Sequence, residues 1–409
     1  MIRLGTLFSG IGAIEQALLR MGEEHVNVFA CDNGEIELKL LPHDIQQEYD
    51  TLKKIARYRI TKNEKLRFEE LTYCEQQERE KIVAEIATLS TIAEKKEFVE
   101  ELYRNYSKGF NHVKETYMAN YIIEPADFHL DVYFFDGKDY RNKVDLMVGG
   151  SPCQAFSSNG KRGGFADTRG TLFHEYVRII NEVQPKCFIF ENVKGLLVHD
   201  NGTTWATIKH TFQQLNYRIY LNHDETGHEQ PLLNAKDYGI PQNRQRIFLI
   251  GIRNDMQLSQ PFTFPKPIQL NTINADYLDD IVPSKYYLGK KGFEFVTTHP
   301  TRAQVGYTIQ KCQKANQQFN WNGDFIFEPL DERKHTKEIL NRAYVGTWNG
   351  QIGVIRQYTP RECLRLMGFP DSFIMLHNDN IMWRQSGNSI VVDILMAIVQ
   401  QLINTGIFE

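Results

Sequence analysis

A glycine-containing turn between an apolar strand and an amphipathic helix is the feature that most constrains the fold. Arg3–Phe8 predicts a buried strand, a turn with Gly10 and Gly12 follows, and apolar residues then recur at helical spacing. A second apolar strand, Val26–Cys31, leads directly to Asp32. Glycines there let the backbone approach a ligand, and an acid after the second strand is placed for sugar hydroxyls. A plain tight turn explains the glycines equally well.

The same alternation continues through the chain. Further apolar runs predict strands, and periodic apolar residues near 173–180 and 205–215 predict helices between them. The further predicted strands are Val144–Val148, Cys187–Phe190 and Arg246–Ile252. The expected fold class is therefore α/β, a mostly parallel sheet with helices on both faces.

Two stretches interrupt this rhythm. Residues 44–104 are polar, rich in Glu and Lys, and free of proline and glycine, which predicts an inserted pair of helices. Residues 263–349 are rich in Gln, Asn, aromatics and Pro with weak periodicity, and predict a smaller irregular domain. The expected main domain is then 1–262 together with 350–409.

Composition narrows the classes of protein. Hydrophobic residues are 42% and charged residues 24% of 409, which is enough for a sizeable core. The first residues do not form a signal peptide, and no apolar run looks long enough to span a bilayer, so we expect a cytoplasmic protein without membrane contact. The six cysteines occur singly, and this spacing predicts no metal site.

The net charge of −4 hides an uneven distribution. Residues 242–365 hold 17 Lys and Arg against 11 Asp and Glu, an excess of six, so the rest of the chain carries −10. A basic segment in an acidic chain is typical of a phosphate-binding surface, although a solvated charged face is an equal alternative.

Cys153 lies in a turn after the strand Val144–Val148, where open α/β sheets place their sites. Gly149, Gly150 and Pro152 around it favour a rigidly held side chain, and a stabilised thiolate there would be a nucleophile. A lone cysteine is more often a small buried hydrophobe. The glycine-rich basic loop at 157–164 is a candidate lid or an ordinary surface loop.

Two further polar groups border predicted strands. Glu191 follows Cys187–Phe190, and a carboxyl beside a buried apolar run is expected to have a raised pKa and to hold a proton. Arg244 and Arg246 alternate before the next strand, so both would face one anion. The alternatives are that Glu191 is an exposed acid at the end of a strand and that the two arginines lie on a solvated edge.

Together these blocks resemble the cytosine-5 DNA methyltransferases, most closely the prokaryotic enzymes of restriction–modification systems. They occur in the family order and cover most of the chain outside 44–125 and 263–349. The blocks are F-x-G-x-G at Phe8–Gly12, P-C-Q at Pro152–Gln154, E-N-V at Glu191–Val193, Q-x-R-x-R at Gln242–Arg246, R-E-C-x-R-x-M-G-F-P at Arg361–Pro370 and G-N-S at Gly387–Ser389.

The resemblance implies a Rossmann-like methyltransferase sheet and roles for matching residues. Cys153 would attack C6 of a flipped-out cytosine, Glu191 would hold the base, Arg244 would support Glu191, and Arg246 would order the site. Residues around S-adenosylmethionine would be Phe8, Gly10, Ile11, Gly12, Asp32, Asp131, Val132, Pro152, Leu172, Asn388 and Ser389. Two departures stand out: Leu130-Asp131-Val132 replaces the family's G-D-I, and Asn33 replaces a large apolar residue expected against the adenine.

The resemblance further implies double-stranded DNA as the partner, with 263–349 as the target-recognition domain. It also implies a protein that is monomeric in catalysis and a possible cognate restriction component. The alternatives are an RNA methyltransferase, which the absence of a Cys-Phe-Thr signature disfavours, and a non-catalytic DNA-binding regulator. A nicotinamide dehydrogenase would explain Gly10–Asp32 but not the other blocks.

The inserted segment 44–104 has nearly balanced charge, 12 Lys and Arg against 14 Asp and Glu. Such balance disfavours a DNA-gripping arm, so we expect a solvated decoration or a docking surface for a protein partner. On either interpretation, replacing 44–104 by a short linker would leave cofactor binding and methylation intact.

Overall fold

A computed structural model of the chain describes residues 1–56, 60–151 and 172–409. Its α-helices are α1 Ala13–Met21, α2 His43–Ile55, α3 Lys62–Ile86, α4 Ile92–Tyr106, α5 His112–Asn120, α6 Leu172–Val183, α7 Thr203–Gln213, α8 Lys290–Thr298, α9 Lys337–Arg342, α10 Pro360–Arg365, α11 Asp379–Asn388 and α12 Val392–Asn404. Its strands are β1 Ile2–Leu7, β2 His25–Cys31, β3 Phe128–His129, β4 Leu146–Gly149, β5 Cys187–Val193, β6 Tyr217–Leu221, β7 Leu232–Asn234, β8 Gln242–Asn243, β9 Gln245–Arg253, β10 Ala303–Val305, β11 Gln310–Lys311, β12 Gly323–Pro329, β13 Gly346–Trp348 and β14 Gln351–Arg356.

The main sheet has the order β3-β2-β1-β4-β5-β9-β6, and β7 pairs with β9. The strands from β3 to β5 are parallel, whereas β9 is antiparallel to β5, β6 and β7. The predicted mostly parallel, Rossmann-like sheet is confirmed. The carboxyl ends of the parallel strands meet at one edge, and the amino end of β9 reaches the same edge.

Both faces of this sheet are buried, which explains why its strands are continuous apolar runs. Along β5, Cys187 and Ile189 pack into the core on one face, whereas Phe188 and Phe190 pack into the core on the other. Helices α1 and α12 cover the first face, and α6 and α7 cover the second. The predicted helices on both faces are therefore confirmed.

The predicted strands and helices of this sheet occur within a few residues of their expected positions. The structure differs from the expectation in the segment 44–104, which contains α2, α3 and α4 rather than two helices. Thr61 and Thr91 begin α3 and α4 with capping boxes, in which Glu64 and Glu94 return the hydrogen bond. These local signals for the start of a helix divide the polar stretch 44–104 into separate helices.

A smaller sheet with the order β10-β12-β14-β13 lies within the predicted irregular segment and continues to Arg356. Arg356 is fully buried and joins this sheet to α10, because its guanidinium pairs with Glu362 at 2.8 Å and also bonds Glu328. The short parallel pair β8–β11 connects the same segment to the main sheet near Gln242.

The stretch Asp379–Asn404 is long and apolar enough, by length and composition, to cross a membrane, contrary to the sequence-based expectation. In the structure it consists of α11 and α12, separated by residues 389–391, and 56% of its apolar window is buried. Ile394, Leu395 and Ile398 of α12 lie in the core against the main sheet. The apolar side chains of α12 thus cover one face of the sheet.

Glu15 on α1 is a carboxyl buried beneath the glycine turn. The Tyr117 hydroxyl donates to Glu15 Oε1 at 2.5 Å and the Thr6 hydroxyl at 3.3 Å. Burial raises the pKa of Glu15 to about 7, although these hydrogen bonds oppose the increase. The folded protein therefore holds a proton at Glu15 that the unfolded chain releases at lower pH.

We predict a pH-dependent stability that Glu15→Gln removes. Because the folded pKa exceeds the unfolded value, the contribution of Glu15 is fully present below about pH 4 and is lost as pH rises through 7. Between pH 4 and 8 the wild-type free energy of unfolding should fall by about 3 kcal/mol more than that of Glu15→Gln. Urea denaturation measures this difference, with the exposed Glu24→Gln as control. Parallel stability curves for wild type and Glu15→Gln would contradict it.

Candidate active site at the carboxyl edge of the sheet

The glycine turn after β1 is fixed against Asp32 at the end of β2. The Gly10 amide donates to Asp32 Oδ2 at 2.9 Å, and the Gly34 amide donates to Oδ1 at 2.8 Å. Gly12 has φ 77°, and a side chain there would meet the Tyr121 ring at 2.1 Å. Glycine is therefore required at residue 12 both by the backbone conformation and by the close contact.

A cavity of about 280 Å³ opens beside this turn. Five of the predicted cofactor residues line it: Phe8, Asp32, Asp131, Val132 and Leu172. Apolar side chains with two carboxylates suit a group that combines a flat ring with sugar hydroxyls and exocyclic N–H donors. The composition of the lining therefore fits the adenosyl part of S-adenosylmethionine.

Asp131 is the most enclosed acid of this cavity. The Tyr103 hydroxyl donates to Asp131 Oδ2 at 2.9 Å, and the Tyr133 amide donates to Oδ1 at 3.0 Å. Burial raises the pKa of Asp131, while Arg79 and these hydrogen bonds oppose the increase. Tyr103 and Arg79 belong to the segment 44–104, for which the sequence predicted a solvated decoration or a docking surface for a protein partner.

Glu191, at the carboxyl end of β5, forms an ion pair with Arg246 of β9. Arg246 Nε lies 3.1 Å from Glu191 Oε1, and both side chains are 13% exposed. Burial raises the pKa of Glu191, as predicted from the sequence, while Arg246 and Arg244 oppose the increase. The carboxyl is thus positioned and electrostatically poised to exchange a proton.

The turn that leads to Cys153 is packed directly against Glu191. A side chain at Gly150 would come within 2.7 Å of Glu191 Oε2, so only glycine fits there. Asn192 donates from Nδ2 to the Ser151 carbonyl at 2.9 Å and holds the end of this turn. Pro152, Cys153 and the loop 157–164 lie outside the described residues.

Arg244 does not contact Glu191, which corrects the expected division between the two arginines. Its guanidinium is buried and donates to the carbonyls of Gln313 at 2.5 Å, Gly387 at 3.0 Å and Ser389 at 2.7 Å. Burial lowers the pKa of Arg244 to about 10, so it remains charged at neutral pH. Apart from Cys312, which both guanidinium groups approach, the two arginines have different partners, because Arg244 precedes β9 and turns into the protein interior.

The remaining predicted cofactor residues that the structure describes border the site without lining this cavity. Ile11 is buried in the core behind the turn, and Asn388 donates to Glu35 Oε1 at 2.9 Å. Ser389 is buried, and its carbonyl accepts from Arg244. The G-N-S block therefore connects Glu35, in the loop after β2, with Arg244.

Cys312 is a site residue that sequence reasoning missed. Its sulfur lies 3.7 Å from Arg244 Nη1 and 3.6 Å from Arg246 Nη1. The pKa of Cys312 is lowered although burial opposes this, because the two guanidinium groups stabilise the thiolate. Nothing in the sequence around Cys312 signals that it lies beside the two arginines. For Tyr103, the sequence pattern could indicate only that the residue belongs to an amphipathic helix.

Comparisons with known proteins agree with this arrangement. A family model described as C-5 cytosine-specific DNA methylase matches residues 106–404, which contain the later blocks but not Phe8–Gly12. The type II methyltransferase M1.ScrFI of Lactococcus lactis subsp. cremoris is 36% identical over 297 residues, which cover 71% of this chain and 69% of that protein. M.HhaI of Haemophilus parahaemolyticus is 35% identical over 266 residues, covering 63% and 75%.

Solved structures support the fold. Dnmt2 of S. pombe superposes with a TM-score of 0.59 at 17% identity, covering 98% of both chains. The methyltransferase EhMeth of Entamoeba histolytica superposes with a TM-score of 0.54 at 14% identity, covering 99% of this chain and 98% of that one. The sequence matches confirm the predicted resemblance to the methyltransferases of restriction–modification systems. The chain therefore belongs to the C-5 cytosine-specific DNA methylase family and is a DNA (cytosine-5-)-methyltransferase.

Proposed function

We propose that the protein transfers a methyl group from S-adenosylmethionine to C5 of a cytosine flipped out of a specific duplex DNA sequence, through a covalent bond between Cys153 and C6. The observation that carries this proposal is the buried Glu191–Arg246 pair packed against the turn that leads to Cys153. Cytosine activation requires a nucleophile and a carboxyl that holds a proton. Glu191 lies beside the segment that bears Cys153, so these two groups would form that pair.

The chemistry assigns a task to each group. C5 of cytosine is a poor nucleophile, and addition of the Cys153 thiolate to C6 places electron density on C5. Glu191 holds the base through N3 and the exocyclic amine, and a proton at N3 stabilises the electron-rich ring. Once C5 carries the methyl group, loss of its proton and departure of the Cys153 thiolate restore the aromatic ring. The raised pKa of Glu191 supports this role, because the carboxyl keeps its proton closer to neutral pH.

S-adenosylmethionine, when bound, supplies an electrophilic methyl group. Asp32 is fixed by the Gly10 and Gly34 amides and retains lone pairs for the ribose hydroxyls. Phe8, Val132 and Leu172 provide apolar contact surface in the same cavity. Gly10, Ile11 and Gly12 shape the turn, and we assign Pro152, Asn388 and Ser389 to the cofactor's remaining contacts by the family resemblance.

The substrate is double-stranded DNA, and residues 263–349 are assigned to target recognition. Residues 281–325 carry six Lys and Arg against two Asp and Glu, so the segment has the charge needed to approach phosphates. We further propose that the protein acts as a monomer in the cytoplasm, at the nucleoid, with a cognate restriction component as its functional counterpart. The experiments below would contradict the proposal if they showed that the substrate is RNA or that the protein is a non-catalytic regulator.

The first test concerns Cys153. Cys153→Ser should reduce methyl transfer by more than about 10³-fold, because a serine hydroxyl is far less ionised than a thiol at neutral pH. Tritium transfer from labelled S-adenosylmethionine to duplex DNA and to RNA measures it, with Cys74→Ser, an exposed cysteine, as the control. DNA containing 5-fluorocytosine should trap the wild type covalently. Turnover by Cys153→Ser, or labelling of RNA alone, would contradict the proposal.

The second test concerns Glu191. Glu191→Gln should reduce kcat by about 10²- to 10⁴-fold, because the amide preserves shape but cannot deliver a proton to N3. Single-turnover methylation measures the effect, and calorimetry with S-adenosylhomocysteine should show unchanged cofactor affinity. Glu225→Gln, on an exposed loop, is the matched control. A Glu191→Gln enzyme with wild-type kcat would remove Glu191 from the mechanism.

The third test concerns specificity. Replacing residues 263–349 by the equivalent segment of a relative with another target should move the methylated sequence, because the segment holds the basic excess outside the shared blocks. The second junction falls in the exposed turn between β13 and β14. Bisulfite sequencing of DNA from expressing cells reads the target. An active chimera that methylates the original sequence would show that specificity lies elsewhere.

A further inference from the structure

The inserted helices α2 to α4 are packed onto the cofactor side of the sheet. Leu38, Ile86, Val99 and Tyr103 form a buried cluster with Phe134, which follows Asp131 by three residues. A second cluster, Leu41, Tyr49, Leu52 and Leu71, joins α2 to α3. The apolar faces of the insertion are therefore buried against the site and against each other, whereas the sequence predicted a solvated decoration or a docking surface for a protein partner.

Two of these helices, α2 and α3, line the cavity that holds Asp32 and Asp131. The α2 and α3 side chains in its wall are polar, aromatic and charged, namely Gln46, Tyr49, Asp50, Lys53, Glu75 and Arg79. Tyr49 is a buried member of this wall, and its ring also stacks on Phe68 of α3. Replacing 44–104 by a linker would remove one wall of the cavity.

Two side chains of the insertion act on Asp131. Tyr103 donates a hydrogen bond to its carboxylate at 2.9 Å. Arg79 Nη1 lies 3.9 Å from the same carboxylate, and the guanidinium stacks over the Tyr133 ring at 4.7 Å. Arg79 is held by Glu75 at 2.6 Å, yet its Nη1 is buried and has no hydrogen-bond partner among the described residues. A buried donor of this kind costs free energy unless a ligand or water satisfies it.

The insertion also explains the departure at Asn33. The Asn33 side chain is used in a local turn, where it accepts from the Glu35 amide at 3.0 Å and donates to the Ile36 carbonyl at 3.1 Å. Apolar and aromatic surface in this part of the cavity comes instead from Ile36, Leu38 and Tyr49. In place of one large side chain at residue 33, the cavity has Tyr49 from the inserted helices. Ile36 and Leu38, which pack against those helices, complete this surface.

We propose that the insertion is the outer wall of the methyl-donor cavity, in which Tyr103 and Arg79 are positioning residues that hold the Asp131 carboxylate toward the adenosyl group. The proposal rests on the assignment of this cavity to S-adenosylmethionine. It predicts that the insertion determines cofactor affinity and leaves DNA affinity unchanged. Its balanced charge agrees with that separation of roles.

The test uses calorimetric binding of S-adenosylhomocysteine to the full-length protein. Tyr103→Phe keeps the ring in its cluster but removes the hydrogen bond, and should weaken binding about tenfold, as expected for a hydrogen bond to a charged group. Arg79→Gln should weaken binding by a similar factor. The controls are Tyr106→Phe, exposed on α4, and Arg67→Gln, a partly exposed arginine on α3 that pairs with Glu48 and Glu70.

A double-mutant cycle separates positioning from general destabilisation. If Tyr103 acts through Asp131, the loss of affinity in Tyr103→Phe combined with Asp131→Asn should be smaller than the product of the two single losses. For the single variants Tyr103→Phe and Arg79→Gln, steady-state assays should show a raised KM for S-adenosylmethionine. The KM for DNA and kcat at saturating cofactor should stay unchanged. Independent effects in the cycle, or affinities within twofold of wild type for Tyr103→Phe and Arg79→Gln, would overturn the proposal.

Hydrogen exchange on the unmodified protein gives a result that does not depend on any variant folding. S-adenosylhomocysteine should slow amide exchange at least severalfold in α3 and α4, and unchanged exchange there would also overturn the proposal. Failure of the underlying cofactor assignment has a different signature, because wild type would then not bind S-adenosylhomocysteine and Asp32→Asn would have no effect. Loss of binding in Asp32→Asn without any effect of Tyr103→Phe or Arg79→Gln would refute the role of the insertion alone.

Discussion

The antiparallel direction of β9 is the constraint on which the rest of the site depends. Parallel strands bring Asp32, Gly150 and Glu191 to one edge of the sheet because their carboxyl ends meet there. A parallel β9 would carry its amino end to the opposite edge. Since β9 runs the other way, Arg246 at its beginning reaches Glu191 at the end of β5. The buried carboxylate thus obtains a partner that compensates part of its desolvation.

The segment just before β9 connects the rest of the molecule to this pair. Arg244 links its own segment to two others through hydrogen bonds to three carbonyls, and Gln242 donates to the Leu366 carbonyl and accepts from the Gln313 amide. Through Gln313 these contacts reach the segment assigned to target recognition. The Q-x-R-x-R block is therefore a junction between segments, in addition to the catalytic role proposed for it.

The place of the insertion in the chain explains why it lies beside the proposed cofactor cavity. Strands β2 and β3 are adjacent and parallel, yet α2 to α5 lie between them in the chain. A segment that leaves the carboxyl end of β2 begins beside the cavity, and α2 and α3 pack there before the chain crosses back to the amino end of β3. This topology places Tyr103 and Arg79 next to Asp131, although they are 28 and 52 residues away from it in sequence.

The sequence by itself determined the α/β class, the main strands and the family, because apolar periodicity and short motifs are local properties. It also identified Glu191 as a carboxyl with a raised pKa, since burial at a strand end can be read from the neighbouring residues. It did not determine the partner of Glu191, which was expected to be Arg244, nor that Tyr103 bonds Asp131. Those contacts depend on strand direction and on how a long insertion folds back, and only the tertiary structure decides which distant side chains share a buried space.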